Sequence, residues 1–222
     1  MKKFPKAIIF DWDNTIIDTW PLIHEAIDET MVTMGKKPWG LAKVKENVHK
    51  SMRESFPVIF GDDWQKAGKI YKDSYHRNHL EKLVPIKGAL ELIDLTIKLN
   101  LVIFVVSNKG GTTLRDEAAH LGIKNKFFSI IGAMDAIYDK PSKEVVEMAL
   151  EGSDLDVKKD LIWFIGDSYI DIECALNSGC MPVLFNETNG LSKDLLRRVK
   201  EATGDELLHF KTHQEVMDYL QN

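Results

Sequence analysis

The sequence predicts an α/β fold, a doubly wound parallel sheet interrupted by a small all-α insertion. Three observations lead there. Short apolar runs rich in β-branched and aromatic residues (AIIF, LVIFVV, LIWFIG, MPVLF) show no polar alternation, as strands covered on both faces require. From Pro85 onward such runs alternate with amphipathic helical stretches, the pattern of βαβ units. Between Ile16 and Pro85 the apolar spacing is helical throughout, with no strand pattern. The chain therefore divides into residues 1–16 with 85–222, the sheet domain, and residues 17–84, the helical one. At 222 residues it is long enough for one well-cored domain plus a smaller inserted one.

Taken in order, AIIF is a strand that ends on Asp11 and Asp13. PLIHEAIDETMVTMG opens with Pro21, suited to a first helical turn, and closes at Gly35, a natural helix stop. LAKVKENVHK and DWQKAGKIYKDSYHRNHL are two further helices, and the stretch HKSMRESF between them reads as a loop. ALELIDLTIKL is a helix, and LVIFVV a strand ending at Ser107, Asn108 and Lys109. TTLRDEAAHLG is a helix closed by Gly122, FFSIIGA a strand, and SKEVVEMAL a short helix. LIWFIG is a strand ending at Asp167, and DIECALNSG a helix capped by Gly179. MPVLF, LSKDLLRRVKEA and HFKTHQEVMDYL give a strand, a helix, and a short strand with a last helix.

A net charge of −5 with both signs dispersed offers no basic stripe for nucleic acid. No segment approaches a membrane span. Met1-Lys2-Lys3 resembles the start of a signal peptide, but Asp11 cuts the following apolar run short, so export is not expected. Cys174 and Cys180 lie close together in a helical region without metal spacing and read as free thiols. A cytoplasmic protein without membrane or nucleic-acid partners is the expectation.

Ending a strand does not require two carboxylates. An isolated Asp-x-Asp is a solvated turn, yet three strong strands here end in chemically loaded residues: Asp11 with Asp13, Ser107 with Asn108, and Asp167. In a doubly wound sheet all three ends lie on one edge, where ligands bind near the point at which strand order reverses. Asp11 and Asp167 could hold Mg²⁺, which takes a few carboxylates and completes its shell with water and substrate oxygens. A phosphate is the natural substrate group for such a cation. One aspartate could act as nucleophile and the second as proton donor and acceptor. Ser107 and Lys140, which precedes Pro141 and so sits in extended or turn backbone, would complete the charge shell.

These residues, in this order, resemble the four motifs of the haloacid dehalogenase superfamily of phosphohydrolases. DWDNT is similar to the first motif, VVSNKG to the second, KPSKE to the third and FIGDSYIDIECALNSG to the fourth. The resemblance implies Asp11 as nucleophile, Asp13 as general acid and base, and Ser107 and Lys140 as holders of the transferring phosphoryl group. It implies Mg²⁺ bound by the Asp11 carboxylate, the Asp13 main-chain carbonyl and Asp167, with Asp171 supporting that shell. Asp13 argues against dehalogenation, whose members lack that acid. Asn14 departs from the glycine common in the motif, but Asn tolerates a left-handed backbone. Residues 17–84 fall where the superfamily inserts a helical cap, and the SNK sequence with that cap looks most like the phosphoglycolate phosphatase-like branch.

The resemblance thus implies a Mg²⁺-dependent phosphatase of a small phosphorylated metabolite, working through an aspartyl-phosphate. Asn108 and Arg53, the latter in the HKSMRESF loop, are the candidate substrate-binding residues. Trp12, Trp20 and Trp39 read as packing residues. A sugar phosphomutase would use the same aspartates. A receiver-like signalling module shares the acidic α/β pocket, but it lacks a cap of this length and places its accepting aspartate on a later strand.

Overall fold

The computed structural model describes residues 4–186 and 191–222, so the expectation drawn from Met1-Lys2-Lys3 lies outside the described residues. The chain forms two compact units, Met1–Ile17 with Pro85–Asn222, and Asp18–Val84. Ile17 belongs to the first: it bridges to Asp13 and, antiparallel, to Pro85.

The chain begins with β1 (Ala7–Phe10), all four residues fully buried. The helical unit follows with α1 (Trp20–Thr33), α2 (Gly40–Asn47), α3 (Met52–Phe60), a 3-10 turn at Gly61–Asp63, and α4 (Trp64–Asn78). Leu22, Ile23, Ala26, Ile27 and Met31 form the buried stripe of α1 and share a core with Phe56 and Phe60 of α3 and Tyr75 of α4. Trp20 and Trp39 pack against that core.

HKSMRESF is not a loop joining two helices. Met52–Phe60 is helical despite Pro57, and Arg53 stands in its first turn. Met52, Phe56 and Phe60 recur at helical spacing and bury against the unit's core, with the Phe56 and Phe60 ring centroids 5.1 Å apart. That packing outweighs the single backbone bond an internal proline removes.

The first unit resumes with α5 (Ala89–Lys98), β2 (Val102–Gly110), α6 (Gly111–His120), a 3-10 turn at Lys124–Lys126, β3 (Ser129–Ala133) and α7 (Glu144–Leu150). It continues with β4 (Ile162–Gly166), α8 (Tyr169–Ser178), β5 (Met181–Phe185), α9 (Lys193–Thr203), β6 (Leu208–Phe210) and α10 (His213–Gln221). Among the described residues, six strands form one parallel sheet in the order β3-β2-β1-β4-β5-β6. Alternation sends Ala7 and Ile9 of β1 to one face, where they meet Val145 and Val146 of α7 and Ala175 of α8. On β4, Ile162 and Phe164 join that same core, which turns Trp163 to the opposite face. There its ring lies 5.4 Å from that of Tyr219 on α10. Helices on both faces explain why the strands read as unbroken apolar runs.

Two details bear on the active edge. Chain order runs outward from β1 through β2 to β3, then returns to place β4 on the other side of β1. The reversal therefore falls between β1 and β4. Beyond it, the buried His213 ring faces the carbonyl oxygens of Thr15 (2.8 Å) and Lys87 (3.1 Å), tying α10 to both segments that flank the insertion. Both cysteines are free and buried, but Cys180 sits in the turn after α8, outside the helix. Burial pushes the Cys180 thiol up to about 11 and Cys174 higher still, so neither is a ready nucleophile.

Gly132 on β3 and Gly111 at the start of α6 approach so closely that a Cβ on Gly132 would lie 2.4 Å from the Gly111 Cα and 2.6 Å from the Lys109 carbonyl oxygen. Both obstacles are backbone, so no side chain can yield. Gly132→Ala is expected to destabilise the fold by about 1–3 kcal/mol, as overpacked cores do. An unchanged denaturant midpoint would show that the backbones separate without cost.

Candidate active site

Strand register assembles the site. Phe10 of β1 stands level with Val105 of β2 and Ile165 of β4, so the residues just beyond these three crowd one edge. Asp11 is held there by its N–H, which donates to the Ile165 carbonyl at 2.8 Å. Asp167 follows the last residue of β4, placing both carboxylates at the topological switch point. Asn14, in the turn after Asp13, has φ of +59°, a left-handed backbone that Asn tolerates.

Ser107 differs slightly from expectation. β2 continues to Gly110, but its pairing with β3 shifts register between Val106 and Gly110. Ser107 is buried at that irregularity, where the Lys109 N–H donates to its hydroxyl at 3.3 Å.

Lys140 enters the site from the segment before α7 and is only 3% exposed. Its Nζ lies 2.8 Å from Asp11 Oδ1 and 2.6 Å from Asp171 Oδ1. Burial alone would lower its pKa, but the two carboxylates outweigh that and hold it above the ordinary range. The Asn108 side-chain amide clamps the Lys140 backbone: its Oδ1 accepts the Lys140 N–H at 3.0 Å and its Nδ2 donates to the Lys140 carbonyl at 3.2 Å. Both ends of the amide thus reach the Lys140 backbone and fix the segment that carries the lysine.

Asp171, in the first turn of α8, is fully buried. Its Oδ2 accepts the Ser168 N–H (3.0 Å) and hydroxyl (2.7 Å), leaving Oδ1 for Lys140. Gly166 makes room for it, since a Cβ there would fall 2.2 Å from the Asp171 Cγ. Asp11, Asp167 and Asp171 each present an oxygen within 4.8 Å of the others. Burial pushes Asp11 up to about 7, relieved in part by Lys140 and reinforced by Asp171 and Asp13. Burial likewise raises Asp167 well above the carboxylate range, with Asp171 and Asp11 adding to it. Three hard oxygen donors with one ammonium among them make an environment short of positive charge, which suits a divalent cation such as Mg²⁺.

Asp13 lies on the other flank, its Oδ1 2.9 Å from the Nζ of Lys109. Lys109 also pairs with Glu117 of α6 at 3.1 Å, and the Trp12 indole donates to the other Glu117 oxygen at 2.7 Å. The sequence reading gave Lys109 and Glu117 no role and Trp12 only a packing one. A signal existed: Glu117 shares the buried stripe of α6 with Leu114 and Ala118, a position where a carboxylate requires a partner. Arg53 belongs to the other unit and stands half-buried on α3.

The Asp11 shift fixes a pH dependence. Between its ordinary value of 3.8 and about 7 the folded state keeps a proton that the unfolded chain has released. In chelator, stability should therefore fall as pH rises through that window. Lys140→Met, which leaves buried carboxylates without their cation, should cost about 3–5 kcal/mol at pH 7.5 and less at pH 5. Equal losses at both pH values, read from denaturant midpoints, would contradict this charge assignment.

Comparison with known proteins gives the geometry its family. The model for haloacid dehalogenase-like hydrolases matches residues 8–185. The phosphoglycolate phosphatase of Rhodobacter capsulatus is 26% identical over 188 residues, covering 82% of this chain and 84% of the relative. Pyrophosphatase PpaX of Listeria welshimeri is 26% identical over 174 residues, covering 78% and 79%. Among solved structures, a HAD-superfamily hydrolase from Ehrlichia chaffeensis aligns over 100% of both chains, with 30% identity and a TM-score of 0.65. A haloacid dehalogenase-like family hydrolase from Streptococcus pneumoniae also aligns over 100% of both, at 22% identity and a TM-score of 0.80, and shows likeness of fold. With the family match running from β1 to β5, this chain belongs to the haloacid dehalogenase-like hydrolases.

Proposed function

We propose that the protein is a Mg²⁺-dependent phosphatase of small phosphate monoesters, acting through an aspartyl-phosphate on Asp11. The observation that carries this reading is the placement of Asp11, Asp167 and Asp171 around the buried Lys140 ammonium at the sheet's switch point.

The roles follow from position. Asp11 attacks phosphorus, Asp13 protonates the departing ester oxygen, and the same Asp13 then takes a proton from the water that hydrolyses the acyl phosphate. Ser107 and Lys140 hold the phosphoryl oxygens. Asp11, the Asp13 carbonyl and Asp167 would bind the cation, which when present neutralises phosphoryl oxygen charge. Asp171, with both oxygens engaged by Ser168 and Lys140, supports that shell by fixing the lysine. The helical unit, which contains none of the four motifs, is assigned the work of a cap that selects substrate, with Arg53 meeting the leaving group. Enclosure would strengthen every charge around the phosphoryl group by excluding water.

The test is a phosphate-release screen of phosphorylated metabolites with purified protein and Mg²⁺. The names of the relatives put phosphoglycolate and pyrophosphate first among the compounds to try. Activity should vanish in EDTA and return with Mg²⁺. Asp11→Asn should reduce kcat by at least about 10³-fold while remaining folded, since the amide lacks both nucleophilicity and charge. Turnover after exhaustive chelation, or by a folded Asp11→Asn protein, would overturn the reading.

A further inference from the structure

We propose that Lys109 is a positioning residue for proton transfer, holding the Asp13 carboxylate by one oxygen while the buried Glu117 holds Lys109. The inference rests on the reading of Asp13 as general acid and base, and extends it to residues outside the four motif positions.

The geometry is a buried relay of alternating charge. The Trp12 indole N–H donates to Glu117 Oε2 (2.7 Å), Glu117 Oε1 accepts from Lys109 Nζ (3.1 Å), and Lys109 Nζ reaches Asp13 Oδ1 (2.9 Å). The side chains of Lys109 and Glu117 are 6% and 0% exposed, so solvent does little to screen the pair, whereas Asp13 keeps 20% exposure on the side open to water. A glutamate buried in a helix face is costly unless paired, and here its partners lie on the segments that follow β1 and end β2. Trp12 precedes Asp13 directly, so the relay is anchored on both the backbone and the side chain of the acid's own loop.

What the relay does follows from which atoms it occupies. With Oδ1 committed to Lys109, Oδ2 is left to carry the proton. As the bond from Asp11 to phosphorus forms, the phosphorus–oxygen bond to the leaving group breaks. The electron pair of that bond stays on the ester oxygen, which receives the Oδ2 proton and departs as the alcohol. Asp13 is left as a carboxylate facing the Lys109 ammonium, oriented to take a proton from the attacking water in the second half of the reaction. An acid that can rotate away from the ester oxygen loses the proximity on which general acid catalysis depends.

Leaving-group dependence separates this role from a merely structural one. The value of kcat/KM reports steps up to the first irreversible one, the transfer to Asp11. An alkyl phosphate needs its leaving oxygen protonated in that step, whereas 2,4-dinitrophenyl phosphate does not. The experiment compares kcat/KM for both esters in wild type, Asp13→Asn, Lys109→Met, Lys109→Arg and Glu117→Gln. The alkyl ester is phosphoglycolate or whichever alkyl phosphate wild type hydrolyses in the metabolite screen.

Asp13→Asn should lose about 10²–10⁴-fold more on the alkyl than on the aryl ester. Lys109→Met should show the same selectivity at about 10-fold or more, through kcat more than KM, and Lys109→Arg should restore part of it. Glu117→Gln, which keeps an acceptor for Trp12 but drops the charge, should show it more weakly, and it provides the same readout if Lys109→Met does not fold. Equal losses on both esters, or no loss, in variants at 109 and 117 alongside a selective Asp13→Asn would overturn the inference and leave the phosphatase reading intact. An unselective Asp13→Asn would overturn both the assignment of Asp13 and the inference resting on it.

Discussion

One buried ammonium organises the active edge. Asp11, Asp167 and Asp171 present oxygens within 4.8 Å of one another, and like charges at such separations repel by roughly 3–4 kcal/mol per pair at an effective dielectric of about 20. The Lys140 Nζ offsets that repulsion by pairing with two of them. Its position depends on several elements at once. Asn108 at the end of β2 grips its backbone, Asp171 in α8 receives its ammonium, and the absence of a side chain at Gly166 lets Asp171 come close enough. The arrangement is pre-organised by the fold, which is what electrostatic catalysis requires of groups facing a developing charge.

The second pair, Lys109 with Asp13, has a different character. It is anchored from α6 through Glu117 and from the β1 loop through Trp12, independently of Lys140. The two lysines thus divide the aspartates between them: Lys140 serves the carboxylate proposed to bond phosphorus, and Lys109 the one proposed to move protons. Pairs of carboxylates placed in unlike environments are how a single site carries out nucleophilic and acid–base chemistry side by side.

Much of this was legible in the sequence. Unbroken apolar runs marked the parallel strands because both of their faces are covered, and the polar residues that ended them marked the edge where Asp11, Asp167 and Lys140 gather. Helix stops at Gly35, Gly122 and Gly179 fall where the backbone turns left-handed. What was missed depended on tertiary packing. HKSMRESF reads as a loop, yet burial of Phe56 and Phe60 supports a helix at Met52–Phe60 that carries Arg53. Asn108 stands beside Ser107, and its amide also grips a backbone 32 residues away, a contact no local pattern announces. The Lys109–Glu117 pair spans eight residues across a strand–helix junction and follows neither helical nor strand spacing. His213 lies 126 residues from the Lys87 carbonyl and 198 from that of Thr15, beyond any local reading.

The central claim is that the carboxylate held by Lys140 at the end of β1 is the group that bonds phosphorus. The most direct measurement is to quench a reacting mixture of wild-type protein, Mg²⁺ and phosphate ester in acid within milliseconds, then reduce it with borohydride. Reduction converts an aspartyl-phosphate to homoserine, which peptide mass spectrometry locates. Homoserine at position 11, absent when ester is omitted, is the predicted result; homoserine at another aspartate during turnover would contradict it.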